Sequence, residues 1–205
     1  MRKRTYEATY ATKRAICAAL KELMAERPLN KITIGEIMAR CGMARQHFYY
    51  HFEDLYDAVF WMFEEEAVSL LRRHEGALLW QDGLLQLFQY LQENRAVCLC
   101  ALNSMGREHL KHFFQKDISA VIRNTIQTVA EERGWDRDGV DAELLTQFYV
   151  GALAGITERW LLGEIPKTPQ ELIRFADIML TDQVRGASLR LGGQEAPEGA
   201  RREDG

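Results

Sequence analysis

The chain has 205 residues, 47% of them hydrophobic and 27% charged, with only 4 Pro and 15 Gly. That is enough apolar material to bury a core, and it excludes a collagen-like or low-complexity chain. The formal charge of −4, from 26 Lys and Arg against 30 Asp and Glu, argues as a total against a nucleic-acid binder wrapped in a basic field.

The total is an average over unlike parts. Residues 1–52 hold ten Lys and Arg against four Glu, a net of +6, which leaves −10 on residues 53–205. Asymmetry of that size hints at an anion-binding module attached to something else. The four cysteines, Cys17, Cys41, Cys98 and Cys100, lack disulfide-scaffold spacing, and the opening Met-Arg-Lys-Arg-Thr-Tyr-Glu has no apolar core, so a reducing cytoplasm is expected. Charges interrupt every apolar run well short of about eighteen residues, so no membrane span is expected.

In chain order, Ile16, Ala19, Leu20 and Leu23 recur at helical spacing and Pro28 ends the pattern, which predicts a first helix over 9–26. Thr33-Ile34-Gly35-Glu36 is a capping box, with Ile32 and Ile37 at the flanking staple positions, so a second helix starts at Thr33. Cys41-Gly42-Met43 ends it, glycine being suited to the left-handed conformation there, and a further helical stretch is expected over 44–52. Two short helices joined by such a turn form a helix-turn-helix, although a corner in an ordinary helical protein has the same signature.

Beyond Phe52 the pattern stays helical. Asp54 caps a long helix to about Arg73, and Leu84, Leu85, Leu87, Phe88 and Leu91 form the next stripe. Phe113, Ile118, Val121, Ile122 and Ile126 form another, ended by Gly134. A segment follows from Asp138 or Asp141 to Leu162, and Thr168-Pro169-Gln170-Glu171 is a second capping box that opens a last helix to about Leu189. Sustained period-two alternation is absent, so the fold class is all-α. The tail from Gly192, rich in Gly and charge, is expected to be disordered.

Chemistry concentrates in Ala44-Arg45-Gln46-His47-Phe48-Tyr49-Tyr50-His51-Phe52, which has no acidic residue. Arg45 can present a fork to guanine and Gln46 can address adenine, while His47, Tyr49, Tyr50 and His51 can donate to phosphate oxygens. Phe48 and Phe52 share a face and are expected to pack inward. His47 and His51 are also spaced like zinc ligands, but Phe48 stands where a zincin helix needs Glu, so no metal site is expected.

Ile32-Thr33 through Ile37, Gly42-Met43 and Phe48-Tyr49-Tyr50-His51-Phe52 together resemble the TetR family of bacterial transcriptional regulators over residues 9–63. The resemblance implies an N-terminal three-helix DNA-binding domain, residues 1–55, and a larger helical ligand-binding and dimerisation domain, residues 56–191, followed by a tail over 192–205. It implies that Thr33 is a cap and phosphate contact, that Arg45, Gln46 and His47 face base edges or the groove, and that Tyr49, Tyr50 and His51 clamp the backbone. Three positions depart from the pattern: Leu55 replaces a customary Lys, Ala44 replaces the usual Ser or Thr cap, and His47 stands where Thr is commonest. Within the family, Arg45–Tyr49 and Phe148-Tyr149-Val150-Gly151-Ala152 with Trp160 resemble regulators of dihydroxyacetone kinase operons.

The resemblance further implies a homodimer, paired through the last two long helices, that binds a palindromic double-stranded DNA operator as a repressor released by a small-molecule effector. Small residues at Gly151, Ala152, Ala154 and Gly155 allow close helix approach there, as they also would in an interior helix. Pocket candidates on the middle helices are Trp61, Trp80, Phe88, Met105, Phe113, Phe114, Tyr149 and Trp160, with Asn103 as a polar anchor. Each could equally be core. Cys98 and Cys100 point about 200° apart on a helix, so burial is expected rather than metal chelation or thiol sensing. No cofactor and no catalytic set is expected; the rival reading is a small all-α metal-binding or enzymatic bundle in which the helix-turn-helix is only structural.

Overall fold

A computed structural model describes residues 2–72, 80–106, 115, 118–132 and 142–192, and the described residues form helices and turns without a strand. Helix α1 spans Arg2–Glu26 and buries Ile16, Cys17, Leu20, Leu23 and Met24, which its 3.6-residue period places on one face. Pro28 lies in the extended region, and a single 3-10 turn, Leu29–Lys31, leads to the predicted capping box. There Glu36 N–H donates to Thr33 Oγ1 at 3.3 Å, and Thr33 N–H donates back to Glu36 Oε2 at 2.9 Å, opening α2, Ile34–Arg40. Gly42, at φ +64, closes α2: its N–H reaches Ala39 O and the Met43 N–H reaches Met38 O, the paired bonds of a Schellman end.

The expected helix over 44–52 is shorter and more tightly wound, a 3-10 segment over Arg45–Tyr50. Its leading bond, His47 N–H to Ala44 O, spans three residues, and Ala44 has no side chain to accept from the first turn. Asp54 then caps α3, Leu55–Phe63, by accepting from Asp57 N–H at 2.9 Å. The rod continues through a π-helical turn, Glu64–Val68, into α4, Ser69–Arg72, so the long helix expected from Asp54 carries a bulge that no apolar period announces.

The remaining helices are α5 Trp80–Glu93, α6 Arg95–Met105, α7 Ser119–Glu132, α8 Ala142–Leu161 and α9 Pro169–Gly192. Glu171 N–H donates to Thr168 Oγ1 at 3.2 Å and Thr168 N–H to Glu171 Oε2 at 2.8 Å, the second predicted capping box. The tail expected from Gly192 lies, apart from that residue, outside the described residues.

Two buried clusters result. One joins α1, α2, Phe48, Phe52 and α3; the other joins α4, α5, α7, α8 and α9 around Phe88, Ile118, Val150 and Trp160. Helix α6 serves both, since Val97 and Ala101 enter the first and Cys98 the second. The Arg95 Nε–H caps the end of α8 by donating to Leu161 O at 3.0 Å.

Candidate nucleic-acid interface

Phe48, fully buried, and Phe52, nearly so, pack at 5.5 Å between ring centroids and anchor the 3-10 segment to the first core. The other side chains of the segment therefore turn outward. Arg45, Gln46 and His47 are exposed, and Tyr49 and Tyr50 are 52% and 77% exposed, far more than hydrophobic burial would allow. Arg45 Nη2 lies 3.4 Å from the Tyr49 hydroxyl, and the rings of His47 and Tyr50 are 6.1 Å apart. Five donor-bearing side chains thus share one short outward strip.

Thr33 and His51 sit differently. The Thr33 hydroxyl is engaged twice by Glu36, donating to its carboxylate at 2.8 Å and accepting from its N–H. His51 is half-buried, with an Nδ1 that is buried and without a hydrogen-bond partner among the described residues. Burial first, and then electrostatic coupling to Lys13 and His47, hold its pKa below the ordinary 6.5.

Lys13 is the neighbour the sequence did not flag. From α1 its Nζ lies 4.8 Å from the Phe52 ring centroid and 5.3 Å from that of Trp61, which fixes a cation beside the strip. More than thirty residues separate it from the 3-10 segment, so no short motif could have joined them. Leu55, which stands in place of a customary Lys, packs against the first core.

The pocket candidates are dispersed. Trp61 and Met105 pack against the first core, Asn103 is exposed, and Phe88 meets Trp160 edge-on at 5.2 Å in the second core. The Trp160 indole donates to Lys167 O at 2.7 Å. Phe113 and Phe114 lie outside the described residues. Among the described candidates, Trp80 and Tyr149 line the apolar cavity of about 60 Å³ in the second core, together with Leu71, Leu84, Ile122 and Leu153.

Burial pushes the Cys17 and Cys98 thiols up to about 12 and also raises Cys41 and Cys100, so all four are held as thiols. Among the described residues no three His, Cys, Asp or Glu side chains cluster to hold a metal, and no helix is long and apolar enough to cross a membrane.

A basic module displaying a helix-turn-helix, joined to a larger helical unit, is the build of a DNA-binding transcriptional regulator. The family model described as bacterial regulatory proteins, tetR family, matches residues 16–57, and one described as transcriptional regulator C-terminal region matches residues 79–182. The chain belongs to the TetR family of transcriptional regulators. It is 22% identical over 151 residues, 74% of this chain and 80% of the relative, to the HTH-type dhaKLM operon transcriptional activator DhaS of Lactococcus lactis subsp. lactis (strain IL1403). It is 25% identical over 181 residues, 79% and 86% of the two chains, to the HTH-type transcriptional repressor BepR of Brucella suis biovar 1 (strain 1330). The solved structure of a dihydroxyacetone kinase operon activator DhaS shares the fold, with a TM-score of 0.65 at 24% identity, covering 85% of this chain and 96% of that one. These relatives are regulators, and they do not favour the enzymatic or metal-binding bundle.

Proposed function

We propose that this chain is a homodimeric repressor that binds a palindromic operator through Arg45, Gln46, His47, Tyr49, Tyr50 and His51, with Thr33 near a phosphate, and that releases it on binding a small effector. The observation that carries the reading is the outward display of donor-bearing side chains on one short segment of a +6 module. The −10 on the rest of the chain repels phosphates and orients the module toward DNA. We divide the chain at 55/56, with the effector and dimer functions assigned to residues 56–191.

The dimer reading draws on two outward apolar stripes. Leu144 and Phe148 on α8, 67% and 58% exposed, align with Gly151 and Gly155, where an added Cβ would meet nothing within 4 Å. On α9, Phe175, Ile178 and Met179 are exposed at helical spacing. A second copy would cover both, and a two-fold axis would set two recognition segments for one DNA face.

Effector control requires that the second core speak to the first. Glu65 and Glu66, on the π turn leading into α4, bond Tyr10 and Lys21 of α1, so a shift of α4 bears on the DNA-binding module. The relatives are named one an activator and one a repressor; repression is the reading adopted here.

Selection of bound duplexes from a random pool tests the proposal. An inverted repeat with half-sites about one turn, roughly 34 Å, apart and an affinity that falls steeply with salt is expected. A pool without an enriched repeat, or binding indifferent to salt, overturns it.

A further inference from the structure

Resting on the reading of residues 45–50 as the operator-contacting segment, we propose that His47 reads a purine through its N7 atom and that the Tyr50 ring is the positioning group that holds the imidazole for that contact. The observation is a row of two rings on the outer face. In a 3-10 winding, residues three apart eclipse one another at a rise of about 2 Å per residue, so His47 and Tyr50 stand one above the other with about 6 Å of backbone rise between them. Their ring centroids are 6.1 Å apart and their planes tilt by 38°, within the range of attractive aromatic pairs. An α-helix would turn the same two residues about 60° apart.

Both side chains are exposed, Tyr50 at 77%, and neither belongs to the buried cluster beneath. The contact between them therefore does no work for the core. Arg45 is held separately, its Nη2 3.4 Å from the Tyr49 hydroxyl, so the strip divides into two pairs. An exposed imidazole on its own samples several rotamers and loses that freedom when it binds. A ring already set against it lowers that cost.

The chemistry of the imidazole sets what it reads. It aims one N–H in a given direction, unlike the parallel donors of Arg or the adjacent donor and acceptor of Gln, so it addresses a single acceptor. N7 is the major-groove acceptor that adenine and guanine share and that pyrimidines lack. His47 thus separates purine from pyrimidine at its base pair, while Arg45 and Gln46 have the paired groups that tell one base from another. A single hydrogen bond of this kind is worth roughly two- to tenfold in affinity.

Anisotropy titrations of the full chain with the selected repeat test this, using duplexes in which a 7-deazapurine replaces one purine of a half-site at a time. At one position the replacement should weaken the wild type by roughly two- to tenfold and leave His47→Ala unaffected. Tyr50→Ala should lose the same sensitivity, and combined with His47→Ala it should cost less than the two separate losses added. Tyr50→Phe keeps the ring and should keep the sensitivity, whatever the loss of the hydroxyl costs all sequences alike. A scan with no position whose effect vanishes in His47→Ala overturns the proposal. So does a Tyr50→Ala chain that stays sensitive, or a Tyr50→Phe chain as insensitive as Tyr50→Ala, which would place the role in the hydroxyl. These outcomes on a repeat that the chain does bind defeat this inference and spare the operator reading, whereas a chain that selects no repeat defeats both.

Discussion

The Lys21 Nζ on α1 lies 2.5 Å from Glu66 Oε2 on the π turn, an ion pair that ties the DNA-binding module to the helix entering the second core. Glu66 also accepts from the Tyr90 hydroxyl of α5 at 2.9 Å, and Lys21 lies 4.9 Å from the Tyr90 ring centroid. One carboxylate therefore joins three elements. Burial first, and then the same carboxylate, raise the Tyr90 pKa, so its hydroxyl stays a donor.

Glu66→Gln should cost about 1–2 kcal/mol of stability, since it leaves Lys21 partly buried without its counter-charge, and Tyr90→Phe about 0.5–1.5 kcal/mol. Urea denaturation would read both as a lowered midpoint at unchanged slope. Lys21→Met combined with Glu66→Gln should cost less than the separate losses added together; strict additivity would mean the pair is uncoupled.

At the recognition strip, Arg45→Ala should cost about 1–3 kcal/mol of operator affinity and relax preference at one base pair. Tyr49→Phe and Lys13→Ala should weaken all sequences about equally, and Lys13→Ala should flatten the salt dependence by about one phosphate contact. Binding to the selected repeat and to single-base variants of it separates these effects. An unchanged base preference in the Arg45 variant removes that residue from readout.

His51 gives the fold a pH dependence of known sign. Its folded pKa lies below 6.5, so between that value and 6.5 the unfolded chain binds a proton the folded chain refuses. Its contribution to stability is present above pH 6.5 and is lost as pH falls through the lowered folded value. The urea midpoint of the wild type should therefore drop faster below pH 6.5 than that of His51→Gln, which cannot titrate there. Parallel curves would show an unshifted imidazole. Phosphates near His51 would favour its charged form, so operator affinity should rise over the same window.

What could be read from the sequence follows how local the determinants are. The capping boxes at Thr33 and Thr168 and the turn at Gly42 depend on residues three to six apart, and each lies where the spacing placed it. Phe48 and Phe52 are buried as their shared face required. The 3-10 winding of Arg45–Tyr50 was not legible, because a six-residue segment without a cap has no period long enough to separate the two windings. The cavity was legible only in kind: aromatic residues were abundant, but whether Trp61 meets one core and Tyr149 the other depends on packing between helices distant in sequence. Lys13 beside Phe52 and Lys21 on Glu66 are likewise long-range, and charge counting registered them only as totals.

The last prediction concerns the outward face of α8 and α9. Phe148 and Phe175 are 58% and 53% exposed in the single chain, so neither holds the monomer together. Phe148→Asp should therefore leave the helical circular dichroism and urea midpoint of a dilute sample nearly unchanged. In a two-fold interface the same substitution sets a charge against the partner's apolar stripe, and in its isologous form it is introduced twice. Sedimentation at micromolar concentration should show wild-type dimers and variant monomers, and operator affinity should fall because two half-sites are no longer held by one particle. A variant that still sediments as a dimer would move the interface off this face, and a wild type that is monomeric would leave the stripes without the second copy proposed for them.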